Sequence, residues 1–168
     1  MSDALSPETT EGFARAPDGT RIHWSVTGEG APAFVCCDGI GCDGFAWKYI
    51  VRDFAPTNRI VRWHYRGHGR SGLPVDRSRI TFDDICDDLS AVLDATQTND
   101  AVLLGHSMGV QVALEYHKRF RRRVLGLVLI CGSHGLPLDT FHDSRMLKTL
   151  FPSLISAADK WPQATELL

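Results

Sequence analysis

No stretch of this chain approaches the roughly 20 consecutive apolar residues that a membrane-spanning helix needs. Its first residues, Met1-Ser2-Asp3-Ala4, hold no basic segment followed by an apolar one, so no secretory leader is expected. Neither sign of charge dominates. The net charge of −2 argues against nucleic acid or a membrane surface as a partner. Cysteine is poorly arranged for cross-links or zinc: Cys36, Cys37, Cys42, Cys86 and Cys131 are odd in number and form no C-x-x-C. Adjacent Cys36 and Cys37 would point to opposite faces of a strand. The expectation is reduced, mostly buried thiols in a soluble cytoplasmic protein, with no metal and no cofactor.

What is present suffices for one domain. A chain of 168 residues can bury roughly 70% of its unfolded surface. Residues 1–11 are polar and are expected to fray. From Gly12 to Val26 the pattern is a β-hairpin, with Pro17-Asp18-Gly19-Thr20 as its turn. Apolar runs at Ala33–Cys37, Arg59–Trp63, Ala101–Leu104 and Val124–Cys131 read as strands. Between them, Phe45–Phe54 carries Trp47, Ile50, Val51 and Phe54 at helical spacing. A further helix opens with a capping-box-like pair, Thr81 and Asp84, and continues with Ile85, Leu89, Val92 and Leu93 as its apolar stripe. Asp83, Asp84, Asp87 and Asp88 crowd its first turns, where the helix dipole favours negative charge, a simpler account than a metal site. The basic run His117–Arg123 falls at another helix C-terminus, where cations belong, and the net acidic chain argues against nucleic-acid binding through it. Strands alternating with helices predict an α/β protein with a mostly parallel sheet preceded by an antiparallel hairpin.

Gly105-His106-Ser107-Met108-Gly109 organises this pattern. It joins a buried strand directly to a helix over Val110–Phe120. So tight a bend forces the central residue into strained backbone and exposes its side chain above the sheet. Gly105 and Gly109 remove Cβ atoms that would strike the neighbouring elements. The helix dipole then faces any oxyanion formed at Ser107. In this context the G-x-S-x-G pentapeptide reads as a nucleophile elbow; by itself it could be a packing turn. Loops at the carboxyl ends of the parallel strands should share one crevice: Asp38–Gly41, His64–Ser71, Ser107 and Gly132–Gly135.

These residues resemble the α/β-hydrolase family. Three elements carry the resemblance in order: a glycine turn after the third strand, Asp38-Gly39-Ile40-Gly41; R-G-x-G-x-S after the fourth, Arg66–Ser71; and the elbow after the fifth. The likeness runs from about Gly12 to Gly135 and is greatest to the soluble esterase and acyl-hydrolase branch with a helical lid. It implies a sheet with helices on both faces, a core over residues 12–135 and the start of a lid over 136–168, where Met146, Leu147, Leu150, Phe151, Leu154 and Ile155 form a stripe broken at Pro152. It also implies Ser107 as nucleophile, the Ile40 and Met108 amides as oxyanion hole, and Gly39 and His106 as supporting residues. A serine at the elbow argues against the haloalkane dehalogenase and epoxide hydrolase branches, which use aspartate there.

Two departures stand out. Many members have His-Gly where this chain has Asp38-Gly39, and Asp-x-Arg-Gly where it has His64-Tyr65-Arg66-Gly67. A reciprocal exchange would leave Asp38 and His64 hydrogen-bonded with their roles swapped, supporting the oxyanion loop. The family's acid and histidine follow later strands. Asp139 is a weak candidate for the acid, and neither His134 nor His142 matches the base. The expectation is therefore an N-terminal part of a hydrolase with little turnover by itself, its sixth strand an exposed edge prone to self-association. The expected partner is a small acyl substrate. Acyl transfer or perhydrolysis on the same serine, or a non-catalytic binding domain, remain alternatives.

Overall fold

A computed structural model describes residues 7–133. The compact unit that holds them closes at Gly132. The expected lid stripe, together with His134, Asp139 and His142, lies outside the described residues.

Six strands form one sheet: β1 (Thr9–Arg15), β2 (Arg21–Thr27), β3 (Phe34–Cys37), β4 (Ile60–Trp63), β5 (Ala101–His106) and β6 (Val124–Ile130). Their spatial order is β1-β2-β4-β3-β5-β6. The first two pairings are antiparallel and the last three parallel, as expected for a hairpin leading into an α/β sheet. The helices are α1 (Lys48–Phe54), α2 (Phe82–Ala95) and α3 (Met108–Arg119).

Strand alternation divides the core in two. Val35, Cys37, Val61, Trp63 and Leu103 meet Leu89, Val92 and Leu93 of α2 and Val112, Ala113 and Tyr116 of α3. Cys36, Ile60 and Leu104 point the other way, to Trp47, Ala55 and the partly buried Ile50 and Val51 around α1. Cys36 and Cys37 thus belong to different layers, as a period of two requires. All five cysteines are free thiols, and Cys131 is exposed.

Some boundaries need correction. β1 begins at Thr9, so Thr9–Glu11 are paired rather than frayed: Thr9 faces Thr27 across the ladder, with their hydroxyls 2.8 Å apart. An edge strand held mainly by its backbone needs no apolar alternation, which hid its start. The helix expected from Phe45 begins as a 3-10 turn, Phe45–Trp47, after Gly44 at φ 91°. β6 stops at Ile130, and Cys131 has φ 51°. The capping at α2 is half of a box. Asp84 N–H donates to Thr81 Oγ1 (3.2 Å), but the Asp84 carboxylate accepts from the Thr81 hydroxyl (2.7 Å) instead of reaching the Thr81 amide.

The two charge runs are engaged in local pairing. Arg119 binds Asp83 and Asp87 of α2, and Arg123 binds Asp94 and two carbonyls at the end of that helix. The basic end of α3 therefore clamps it to α2. Among the described residues, no helix is long and apolar enough to cross a membrane.

Candidate active site

β5 carries the chain into the elbow with no intervening loop. Ser107 holds φ 55° and ψ −118°, and Met108 already begins α3. A non-glycine residue kept there stores of order 1–3 kcal/mol of strain. The Ser107 side chain is half-buried, and its N–H donates to the Ile130 carbonyl of β6 (3.0 Å). A Cβ on Gly109 would fall on the Cys37 carbonyl, and one on Gly105 would lie 2.5 Å from the Gly109 carbonyl oxygen. Both glycines therefore permit the close approach of strand and helix that the sequence implied.

The turn after β3 lies against this elbow. A Cβ built on Gly39 would stand 3.2 Å from Ser107 Cβ and 3.3 Å from His106 Nδ1, so Gly39 packs close against the serine. The N–H groups of Ile40 and Met108 donate to no backbone carbonyl among the described residues. Two such amides near a half-buried hydroxyl can stabilise an oxyanion. Gly132, following β6, packs on the same turn, where a Cβ would approach the Ser107 carbonyl oxygen to 2.6 Å.

Asp38 and His64 do not form the expected pair. Asp38 is buried, and its Oδ1 accepts from Trp47 Nε1 at 2.5 Å. The Gly44 N–H also serves its carboxylate. His64 Nδ1 instead accepts from Arg70 N–H at 2.9 Å, and the ring tilts over His23 with centroids 4.8 Å apart. The physical reason lies in the chain after Gly41, which returns the Trp47 indole to the strand end. A buried indole N–H needs an acceptor and takes the one His64 was expected to have. Burial is the largest influence on the Asp38 carboxyl and pushes it above the usual range, against the Trp47 hydrogen bond. Burial likewise lowers the His64 imidazole.

The second motif also has a different role. Arg66 turns inward, with its side chain 1% exposed. Its Nε and Nη2 grip both oxygens of Asp88 at 2.7 and 2.6 Å, while Nη1 reaches Asp18 at 3.0 Å and the Arg79 carbonyl at 2.6 Å. Ser71 staples the motif back to the sheet: its hydroxyl donates to the His64 carbonyl and accepts from His23 N–H. Of this segment Tyr65 reaches the β3 turn, donating its hydroxyl to the Asp38 carbonyl at 2.8 Å. Trp47 and Tyr65 were missed by the sequence reading, although a buried aromatic carrying a polar hydrogen is itself a signal.

Sequence comparison fits this geometry. The alpha/beta hydrolase fold family matches residues 32–162. The chain belongs to that family. Human epoxide hydrolase 4 is 26% identical over 147 residues, covering 84% of this chain and 41% of its own. The pimeloyl-[acyl-carrier protein] methyl ester esterase of Hamiltonella defensa is 32% identical over 106 residues, covering 63% and 38%. Among solved structures, an esterase from Exiguobacterium antarcticum superposes with a TM-score of 0.63 at 26% identity, covering 70% of this chain and 43% of that one. This alpha/beta hydrolase chain spans less than half the length of these relatives.

Proposed function

We propose that this alpha/beta hydrolase uses Ser107 as the nucleophile on an ester or related acyl bond, through an acyl-enzyme. The observation that carries this reading is the strained Ser107 at the head of α3, with Gly39 of the β3 turn packed close to it. Ser107 Oγ would attack the acyl carbon, the Ile40 and Met108 amides would hold the oxyanion, and the alcohol would leave. Water would then release the acid. Removing one such donor typically costs roughly 2.7–4 kcal/mol of transition-state stabilisation.

Some relatives are named for epoxides, yet the elbow residue favours acyl chemistry. A carboxylate that opens an epoxide leaves an ester that water can cleave. A serine oxygen would leave an ether, which water does not release. A fluorophosphonate should add covalently to Ser107, raising the intact mass, and Ser107→Ala should abolish the adduct. A non-catalytic binding domain is the second reading. Absence of labelling, in this chain and also in a longer chain that carries further strands, would favour that reading over ours.

We also propose that copies associate through β6. Among the described residues it has β5 on one side and no strand on the other, and Leu125, Val128, Leu129 and Ile130 are exposed. Such edges template pairing, and an edge lysine blunts it. Leu129→Lys is expected to raise the monomer fraction in sedimentation velocity. An unchanged distribution would remove this edge as the cause.

A further inference from the structure

We propose that Asp38 is a positioning residue for the oxyanion turn, its buried carboxylate clamping the segment from Gly39 to Trp47 so that the Ile40 amide faces Ser107. The inference rests on the acyl-transfer reading above. Three contacts fix Asp38 itself: Trp47 Nε1 to its Oδ1, the Gly44 N–H to the carboxylate, and Tyr65 Oη to its backbone carbonyl. Gly44 and Trp47 close the loop that begins with Gly39, and Cys42 N–H tightens it further by donating to the Gly39 carbonyl at 3.2 Å. The carboxylate therefore holds both ends of a nine-residue excursion, with Ile40 near its start. Ile40 has no anchor of its own, since its side chain is 71% exposed. Without the clamp, the Ile40 peptide would be tied only through Gly39.

A neutral residue of the same shape would not suffice. Asparagine could accept from one donor with its carbonyl oxygen, but it would present an NH2 to the other. The charged groups around Asp38 are Asp43 from its own loop, which disfavours the ionised form, and His106 from β5, which favours it. Tyr65, Cys36, Cys37 and Cys42 are the other titratable groups that feel Asp38. Burial raises the Asp38 carboxyl, so acidification should release the clamp above the usual carboxylate range rather than below it.

The test pairs a covalent readout with a spectroscopic one. In Asp38→Asn, fluorophosphonate labelling of Ser107 should slow roughly 10- to 100-fold, the scale expected for a misplaced catalytic group. The variant's labelling rate should also lose the acid limb of the wild-type pH profile. Trp47→Phe, which removes a donor and keeps the carboxylate, should slow labelling in the same direction. In the wild type, the Trp47 indole N–H resonance should lie downfield and move with one acid transition, which Asp38→Asn abolishes. Labelling of Asp38→Asn at the wild-type rate, with an unchanged pH profile, overturns the inference. If the wild type itself is not labelled, the serine reading fails; the clamp is then decided by amide exchange at Gly39 and Ile40, which must quicken in Asp38→Asn. Unchanged exchange would also overturn it.

Discussion

Arg66→Ala should lower the unfolding free energy by roughly 3–5 kcal/mol, the usual cost of leaving buried charges without their partner. The guanidinium touches Asp18, Asp84 and Asp88, whose side chains are at most 10% exposed. Removing it leaves three carboxylates in a low-dielectric pocket, with two Asp88 oxygens stripped of charge-assisted hydrogen bonds. Urea melts read the effect as a lower midpoint at unchanged slope. The double variant Arg66→Met, Asp88→Leu should recover part of the loss, because it removes the most buried carboxylate along with its partner, while Arg79 still faces Asp18 and Asp84. Arg52–Asp53 is the built-in control. That pair is also short, at 2.6 Å, but its side chains are 65% and 51% exposed, and breaking it should change stability by less than about 1 kcal/mol. Arg66→Ala melting like an Arg52 variant would refute the buried-network account.

Gly109→Val is the second large effect. The position faces the Cys37 and Asp38 carbonyl oxygens of the neighbouring strand end, so an added side chain meets backbone rather than a flexible tip. β3 is hydrogen-bonded to β4 on one side and β5 on the other, which leaves it little room to retreat. Overpacking a core usually costs about 1–3 kcal/mol, and this site should reach or exceed the upper end because neither party can rotate away. Thermal melts should show the loss, and Ser107 labelling should fall with it, since any relief moves α3 away from the oxyanion turn. Gly109→Ala should lie between. A melting temperature for Gly109→Val equal to that of the wild type would mean the strand and helix do not approach so closely.

The elbow was legible because local rules specify it: an apolar run, two glycines at fixed spacing and a helix pattern, all within twenty residues. The parallel strands and the Thr81 cap of α2 were legible for the same reason. What escaped depends on contacts across long stretches of chain. Periodicity places an arginine outside, yet Arg66 is inside because Asp18 and Asp88, 48 and 22 residues away, converge on it. Asp38 and His64 looked complementary as neighbours at adjacent strand ends. The indole of Trp47, brought back by a loop of no strong signature, took the carboxylate first. Thr9–Glu11 carry no apolar alternation, so nothing local marks them as a strand.

The bond from Ser107 N–H to the Ile130 carbonyl ties the proposed nucleophile to β6, the last parallel strand among the described residues. The elbow is consequently braced from both sides, by the β3 turn through Gly39 and by β6 through its own amide. A shift of the Ile130 carbonyl would be felt at the Ser107 peptide through this one bond. The position of the Ser107 peptide is thus shared between the elbow and the end of β6.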